Sequence, residues 1–309
     1  MIQTMYSIQK LSRSEFVPIR HLRYHVLQWG TPSPDKTPLV MVHGWMDVAA
    51  SFQFVIDALH NDHWVIAPDW RGFGLTETPH TDNFWFPDYL ADLDQLLDHY
   101  VGATKVNLLG HSMGGHVATL YAGVRPKRIH KLINLEGFGM PATRPAQAPS
   151  RLAKWMDELK ALQQGDMDLK PYPSQEAVAQ RLIKTNPRLG SDKAHWLAQH
   201  WASANDQGEW RILGHAGHKV VNAQLFKTDE TQAIYEHITA PMLCVVASTD
   251  SMSQWWRDSY TLPEFKQRIA VVTHLTHAVI EDAGHMLHHD QPEQLARLIE
   301  EFLSPQTVA

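Results

Sequence analysis

The sequence predicts an α/β fold: a mostly parallel central sheet with helices on both faces, carrying one helical insertion. Three observations lead there. Short apolar runs recur along the chain and alternate with stretches of helical periodicity, the rhythm of βαβ units. Runs such as PLVMV and KVNLL lack apolar/polar alternation, as expected of strands covered on both faces. The rhythm stops after Leu135 and resumes only at APMLCVVAS.

Taken in order, strands are expected at about residues 20–29, 38–42, 63–67, 105–109, 131–135, 242–247 and 278–281. Between the third and fourth, FPDYLADLDQLLDHYVG places Leu90, Leu93, Leu96 and Leu97 at helical spacing, with Asp88 as a capping residue. From 137 to 237 the composition shifts. MPATRPAQAPSR is rich in Pro and Ala, and the helix-like stretches beyond it hold Trp155, Trp196, Trp201 and Trp210. This segment is expected to be a helical insertion into a core built from 1–136 and 238–309. The chain closes on HHDQPEQLARLIEEFL, where Asp290 to Glu293 fits a capping box. Leu295, Leu298, Ile299 and Phe302 then form one apolar stripe.

Composition removes several classes of function. The 309 residues are 44% hydrophobic and 19% charged, enough apolar content for a sizeable core. A net charge of −6 offers no basic patch for nucleic acid. One cysteine, Cys244 inside PMLCVVAS, cannot make an internal disulfide and reads as a small buried hydrophobe. The first thirty residues show no apolar core of signal-peptide length, and no run approaches a membrane span. A cytoplasmic protein acting on a small molecule, without a membrane partner, is expected.

The chemistry concentrates in four places. Gly110-His111-Ser112-Met113-Gly114 is a G-x-S-x-G pentapeptide, common by chance when alone. Here it follows a buried-type strand and opens a helix whose early residues are small: Gly114, Gly115 and Ala118. A serine presented on a strained strand-to-helix turn needs such neighbours, because bulk would push strand and helix apart. VMVHGWMD places His43-Gly44-Trp45 directly after another apolar strand. Acyl transfer needs two backbone N–H groups aimed at an oxyanion, and Trp45 and Met113 stand where they arise.

His285, in VIEDAGHMLHHDQPE, follows a strand and precedes the final helix, as a general base paired with Ser112 should. His288 and His289 nearby raise a metal site, but no carboxylate or cysteine spacing matches them, and no metal or cofactor is expected. The acid that orients the base has two candidates. Asp250 lies in the turn after strand 242–247, and Glu136 at the end of strand 131–135; Asp250 is preferred. APDWRGFGLTE, with Asp69, Arg71, Gly72 and Gly74, lacks G-x-G-x-x-G and reads as a structural turn held by Arg71.

These motifs, in this order, resemble the α/β-hydrolase superfamily over about 20–136 and 238–303, and HGWMDVAASF resembles its serine hydrolase-like branch. The resemblance implies Ser112 as nucleophile, His285 as base, Asp250 as acid and the Trp45 and Met113 N–H groups as oxyanion hole. It also implies that 137–237 is the cap. Dehalogenases and soluble epoxide hydrolases of this superfamily carry aspartate at the elbow, so serine argues against both. In some dehalogenases the acid follows the strand where Glu136 lies, which keeps Glu136 as the alternative. The expected activity is hydrolysis of a carboxylic ester with an apolar portion, without a cofactor. The alternatives are the same triad acting on a lactone, amide or C–C bond, or a ligand-binding or signalling protein with little turnover.

Overall fold

The computed structural model describes residues 6–304. Among the described residues, ten strands and eleven α-helices follow in chain order. The strands are β1 (Arg13–Ile19), β2 (Leu22–Trp29), β3 (Leu39–Val42), β4 (Val65–Pro68), β5 (Val106–His111), β6 (Ile129–Leu135), β7 (Ala202–Ala204), β8 (Trp210–Ile212), β9 (Met242–Ala247) and β10 (Leu275–Ile280). Of the helices, α1 (Gln53–Ala58), α2 (Pro87–Val101) and α3 (Met113–Val124) precede β6. Between β6 and β9 come α4 (Ala148–Gln163), α5 (Gln175–Thr185), α6 (Ser191–Trp201) and α7 (Thr228–Tyr235), with the β7–β8 hairpin. Then follow α8 (Ser251–Trp256), α9 (Leu262–Ile269), α10 (Leu287–Asp290) and α11 (Pro292–Leu303).

Eight strands form one sheet in the order β1-β2-β4-β3-β5-β6-β9-β10. β1 and β2 run antiparallel at one edge, and the six strands from β4 to β10 are mutually parallel. The fully apolar strands are explained by this position. In β9, Met242, Cys244 and Val246 join the cluster beneath α2, α3 and α9, while Leu243, Val245 and Ala247 join the opposite one, beneath α1 and α11. β3 divides the same way, Val40 and Val42 against Leu39 and Met41. Both faces are dry, so both residue sets must be apolar.

Every expected strand is present, with ends shifted by up to three residues. β1 was not legible: RSEFVPI alternates exposed and buried positions only weakly and contains Pro18, which an edge strand tolerates. Asp88 lies inside the first turn of α2 rather than capping it, because Pro87 opens the helix and Asp88 pairs with Arg20 at 2.6 Å and Arg71 at 2.9 Å. Arg71 does anchor its loop, through Asp92 at 2.6 Å. Asp290 likewise caps nothing in α11; its carboxylate accepts from the Gly284 N–H at 2.8 Å and the Asn186 amide at 2.7 Å. The stripe of α11 faces the sheet, with Leu295 and Ile299 fully buried.

The segment between β6 and β9 is not uniform. Val178, Leu182, Trp196 and Leu197 of α5 and α6 share a continuous apolar cluster with Phe54 of α1 and Leu295 of α11. Helix α4 has no buried residue, and Leu152 and Met156 stand about half exposed on it. Among the described residues no helix is long and apolar enough to cross a membrane.

Candidate active site

β5 passes into α3 through a single residue, Ser112, with φ 54° and ψ −118°. A non-glycine residue in that region is strained, and surrounding structure must impose it. Its N–H donates to Leu135 O at 2.8 Å, tying the turn to β6, and its own carbonyl accepts the His116 N–H at 3.0 Å. Glycines make the approach possible. A Cβ on Gly110 would lie 2.2 Å from Gly114 O, and one on Gly114 would lie 2.3 Å from Val42 O. Strand β3, the elbow and helix α3 are therefore packed backbone on backbone.

His285 sits in the loop between β10 and α10. Its Nε2 meets Ser112 Oγ at 2.9 Å, and its Nδ1 meets Glu136 Oε2 at 3.1 Å. A carboxylate can only accept, so Nδ1 carries the proton and Nε2 presents its lone pair to the serine hydroxyl. Trp255 stands perpendicular to the His285 ring, centroids 4.2 Å apart.

Glu136 directly follows β6, also with positive φ (54°), and its side chain reaches the end of β9. It is buried, and three donors meet its carboxylate: the Ala247 N–H at 2.8 Å on Oε1, the Ser251 hydroxyl on Oε2, and His285. Asp250, the acid preferred from sequence, does not reach His285. Its Oδ1 accepts the N–H groups of Met252 at 3.0 Å and Ser253 at 3.2 Å and so caps α8. The sequence-based preference is corrected here, and the reason is local. The first turn of α8 offers unpaired N–H groups that a short aspartate at the N-cap satisfies, while the longer glutamate one strand away spans the distance to the histidine. The segment from Ala247 to Ser251 thus holds the Glu136 carboxylate rather than supplying one to His285. Ser251 and Trp255 gave no signal in sequence, because their contacts with Glu136 and His285 depend on β9 lying between β6 and β10.

The loop after β3 closes the other side. A Cβ on Gly44 would come within 3.0 Å of Ser112 Cβ, so the main chain leading into Trp45 touches the serine. His43 holds this loop from below. Its Nδ1–H donates to Gly44 O at 2.8 Å, and its Nε2 accepts the Trp70 N–H at 2.9 Å. Burial pushes its pKa down, which keeps it neutral for that pairing. The Trp45 indole N–H reaches His218 O at 3.2 Å. His218 itself is stacked between Phe73 and Phe84, ring centroids 3.8 and 3.5 Å away, and burial holds its pKa down at about 3. Met113 opens α3, so its N–H lies among those a helix leaves without an internal partner. Cys244 is buried and its thiol is pushed up to about 12, which leaves it inert.

A hydroxyl, an imidazole and a carboxylate in series at the ends of parallel strands, with the serine on a strained strand–turn–helix, define a nucleophile-elbow class of α/β protein. The chain belongs to the family of the alpha/beta hydrolase fold, whose match covers residues 37–292. It is similar to a serine hydrolase-like protein of Danio rerio, 26% identical over 95% of this chain and 89% of that one. It is also similar to the cis-3-alkyl-4-alkyloxetan-2-one decarboxylase of Shewanella oneidensis, 24% identical over 86% of this chain and 82% of the relative. Among solved structures, the thioesterase domain from the curacin biosynthetic pathway superposes with a TM-score of 0.79 at 23% identity. That match covers 94% of this chain and 99% of the domain, and is a likeness of fold.

Proposed function

We propose that this hydrolase-family protein cleaves carboxylic esters, with Ser112 as nucleophile, His285 as general base and Glu136 as the orienting acid. The observation that carries the reading is the unbroken series of hydrogen bonds from Ser112 Oγ through His285 to Glu136. His285 takes the hydroxyl proton as Ser112 Oγ attacks the ester carbonyl, and Glu136 balances the imidazolium that forms. The N–H groups of Trp45 and Met113 receive the developing oxyanion. His285 then returns its proton to the departing alcohol, and the same nitrogen activates water to release the acid. These steps draw only on the chain's own groups.

Residues 137–237 act in this reading as a cap. Two contacts support it: the Trp45 indole bond to His218, and the close packing of Gly214 on Met46, where a Cβ would stand 3.3 Å from the Met46 sulfur. Trp45 and Trp255, each about half exposed beside the serine and the histidine, favour a substrate with an apolar group.

The test is hydrolysis of p-nitrophenyl acetate and p-nitrophenyl octanoate by the wild type and by Ser112→Ala. Turnover of either ester by the wild type alone supports the proposal. Folded wild type inactive on both sinks it. One second reading has a specific support, the relative whose name describes a dialkyl-substituted oxetan-2-one. The same serine would open a lactone ring, and a four-membered lactone turned over much faster than either ester would move the assignment there.

A further inference from the structure

Near His285, across the His111 ring, lies a polar cluster that the proposed reaction leaves unused. Asp47 comes from the loop after β3, two residues beyond Trp45, and is buried. His288 and His289 come from α10, three and four residues beyond His285, and both are buried. One side of the Asp47 carboxylate is satisfied: Oδ1 accepts from the Ser51 hydroxyl and from the Trp201 indole N–H at 3.1 Å. The other side is bare. Asp47 Oδ2, both ring nitrogens of His288 and Nε2 of His289 are all buried without a hydrogen-bond partner. Buried polar atoms are nearly always paired, and four orphans in one place call for a common partner.

The chemistry of the orphans says what that partner is. Asp47 Oδ2 presents an open carboxylate oxygen, buried and with no donor bonded to it. Beside it stand imidazole nitrogens of His288 and His289 that likewise bond to nothing. A neutral imidazole can offer a lone pair rather than a proton. Buried charges are paired or bind metals. Taking one ligand atom from each residue, the three lie within 4.8 Å of one another, so a single point lies within about 2.8 Å of all three. Asp47 Oδ2 and His288 Nε2 are 3.9 Å apart, too far for a hydrogen bond and suited to two ligands of one ion after a small inward shift. Two imidazoles and one carboxylate are a donor set for zinc and its first-row neighbours, not for calcium or magnesium.

We propose that Asp47, His288 and His289 form a site for one divalent transition-metal ion, of which Zn2+ is the representative. The ion would join the loop carrying Trp45 to the helix that follows His285, and so staple the two segments that frame Ser112. The sequence hid this site because its carboxylate and its histidines stand near opposite ends of the catalytic core.

The site is buried, so the test loads it during folding. The chain is unfolded with chelator, refolded with one equivalent of Zn2+ or with chelator, and passed through gel filtration. Metal content and melting temperature are then measured. About one zinc per chain and a melting temperature raised by several degrees are expected for the wild type. The same result is expected for His195→Gln, which removes a surface histidine beside Glu176. Asp47→Asn and His289→Gln should each lose the bound zinc and the shift. Where either variant fails to fold, Co2+ loaded into the wild type provides the readout, as the visible absorption of a low-coordinate N/O site. Zinc retained by folded Asp47→Asn and His289→Gln means adventitious surface binding and overturns the proposal. A wild type that takes up no metal, with a protonated His288 ring in its nitrogen NMR spectrum, makes the cluster an Asp47–His288 ion pair and overturns it equally.

Discussion

His111 donates its Nε2–H to the main-chain oxygen of His285 at 2.8 Å, so the residue before Ser112 holds the main chain that carries the His285 ring. Its other nitrogen faces Gly44, where a Cβ would come within 3.2 Å. One buried imidazole therefore touches the elbow, the histidine loop and the Gly44–Trp45 loop. Burial first, then the neighbouring His288 and His285, push its pKa well down, which favours the neutral ring. His111→Leu should lower kcat at least tenfold with little change in KM, and His111→Gln should restore part of it. The pH profile should keep its shape in both, because the group being replaced does not titrate there. Steady-state kinetics across pH would check this; an unchanged kcat in the folded leucine variant would remove His111 from any positioning role.

The two acids should separate cleanly. Glu136→Gln replaces the acceptor that orients His285 and should cut kcat by about 10³–10⁴ while the protein stays folded. Asp250→Ala removes a helix cap, which costs about 0.5–2 kcal/mol of stability, and should leave most activity in place. Asp250→Asn, which keeps a capping oxygen, should be close to silent in both respects. The measurement is kcat beside a urea midpoint for each variant. A ranking in the opposite order would return the acid's role to Asp250.

Gly114→Ala probes the elbow without touching a reacting group. The new methyl would stand 2.3 Å from Val42 O and 2.5 Å from His43 O, both backbone atoms of the strand that leads to Trp45. Overpacking against side chains costs about 1–3 kcal/mol, and backbone yields less readily, so a loss at or above that range is expected. Denaturant unfolding reads it directly. A variant as stable as the wild type would show that strand and helix are further apart than described.

Acid should destabilise the fold in part through His116. Burial, with a smaller contribution from Arg268, lowers its pKa from 6.5 to about 4. The unfolded chain therefore takes up a proton at this residue below about pH 6.5 that the native chain refuses until about pH 4. Native stability is complete above that window and falls through it as the pH drops, by at most about 1.4 kcal/mol per pH unit for this one group. His116→Gln, which keeps a polar atom near the Tyr235 hydroxyl at 3.3 Å, should flatten the dependence between pH 6 and 4.5. Identical slopes for the two proteins would take His116 out of the acid response.

The sequence by itself determined what short-range rules can specify. Strands buried on both faces are written as unbroken apolar runs. The elbow is written as glycines where a Cβ would strike backbone, around a serine whose chain order before His285 suits a nucleophile and its base. Those constraints act within a dozen residues, so reading along the chain reaches them. Only the tertiary structure decided which carboxylate meets the histidine and which one comes near His288. Asp250 and Glu136 both lie just beyond strands, and spacing alone does not say which one reaches the histidine. They differ because Asp250 is taken by the N–H groups of its own helix, whereas Glu136 crosses to a histidine 149 residues away. Asp47 comes within 3.9 Å of His288 for the same kind of reason: the sheet order brings the loop after β3 and the segment after β10 together. Contacts of that kind are set by how strands are laid side by side, and no local pattern encodes them.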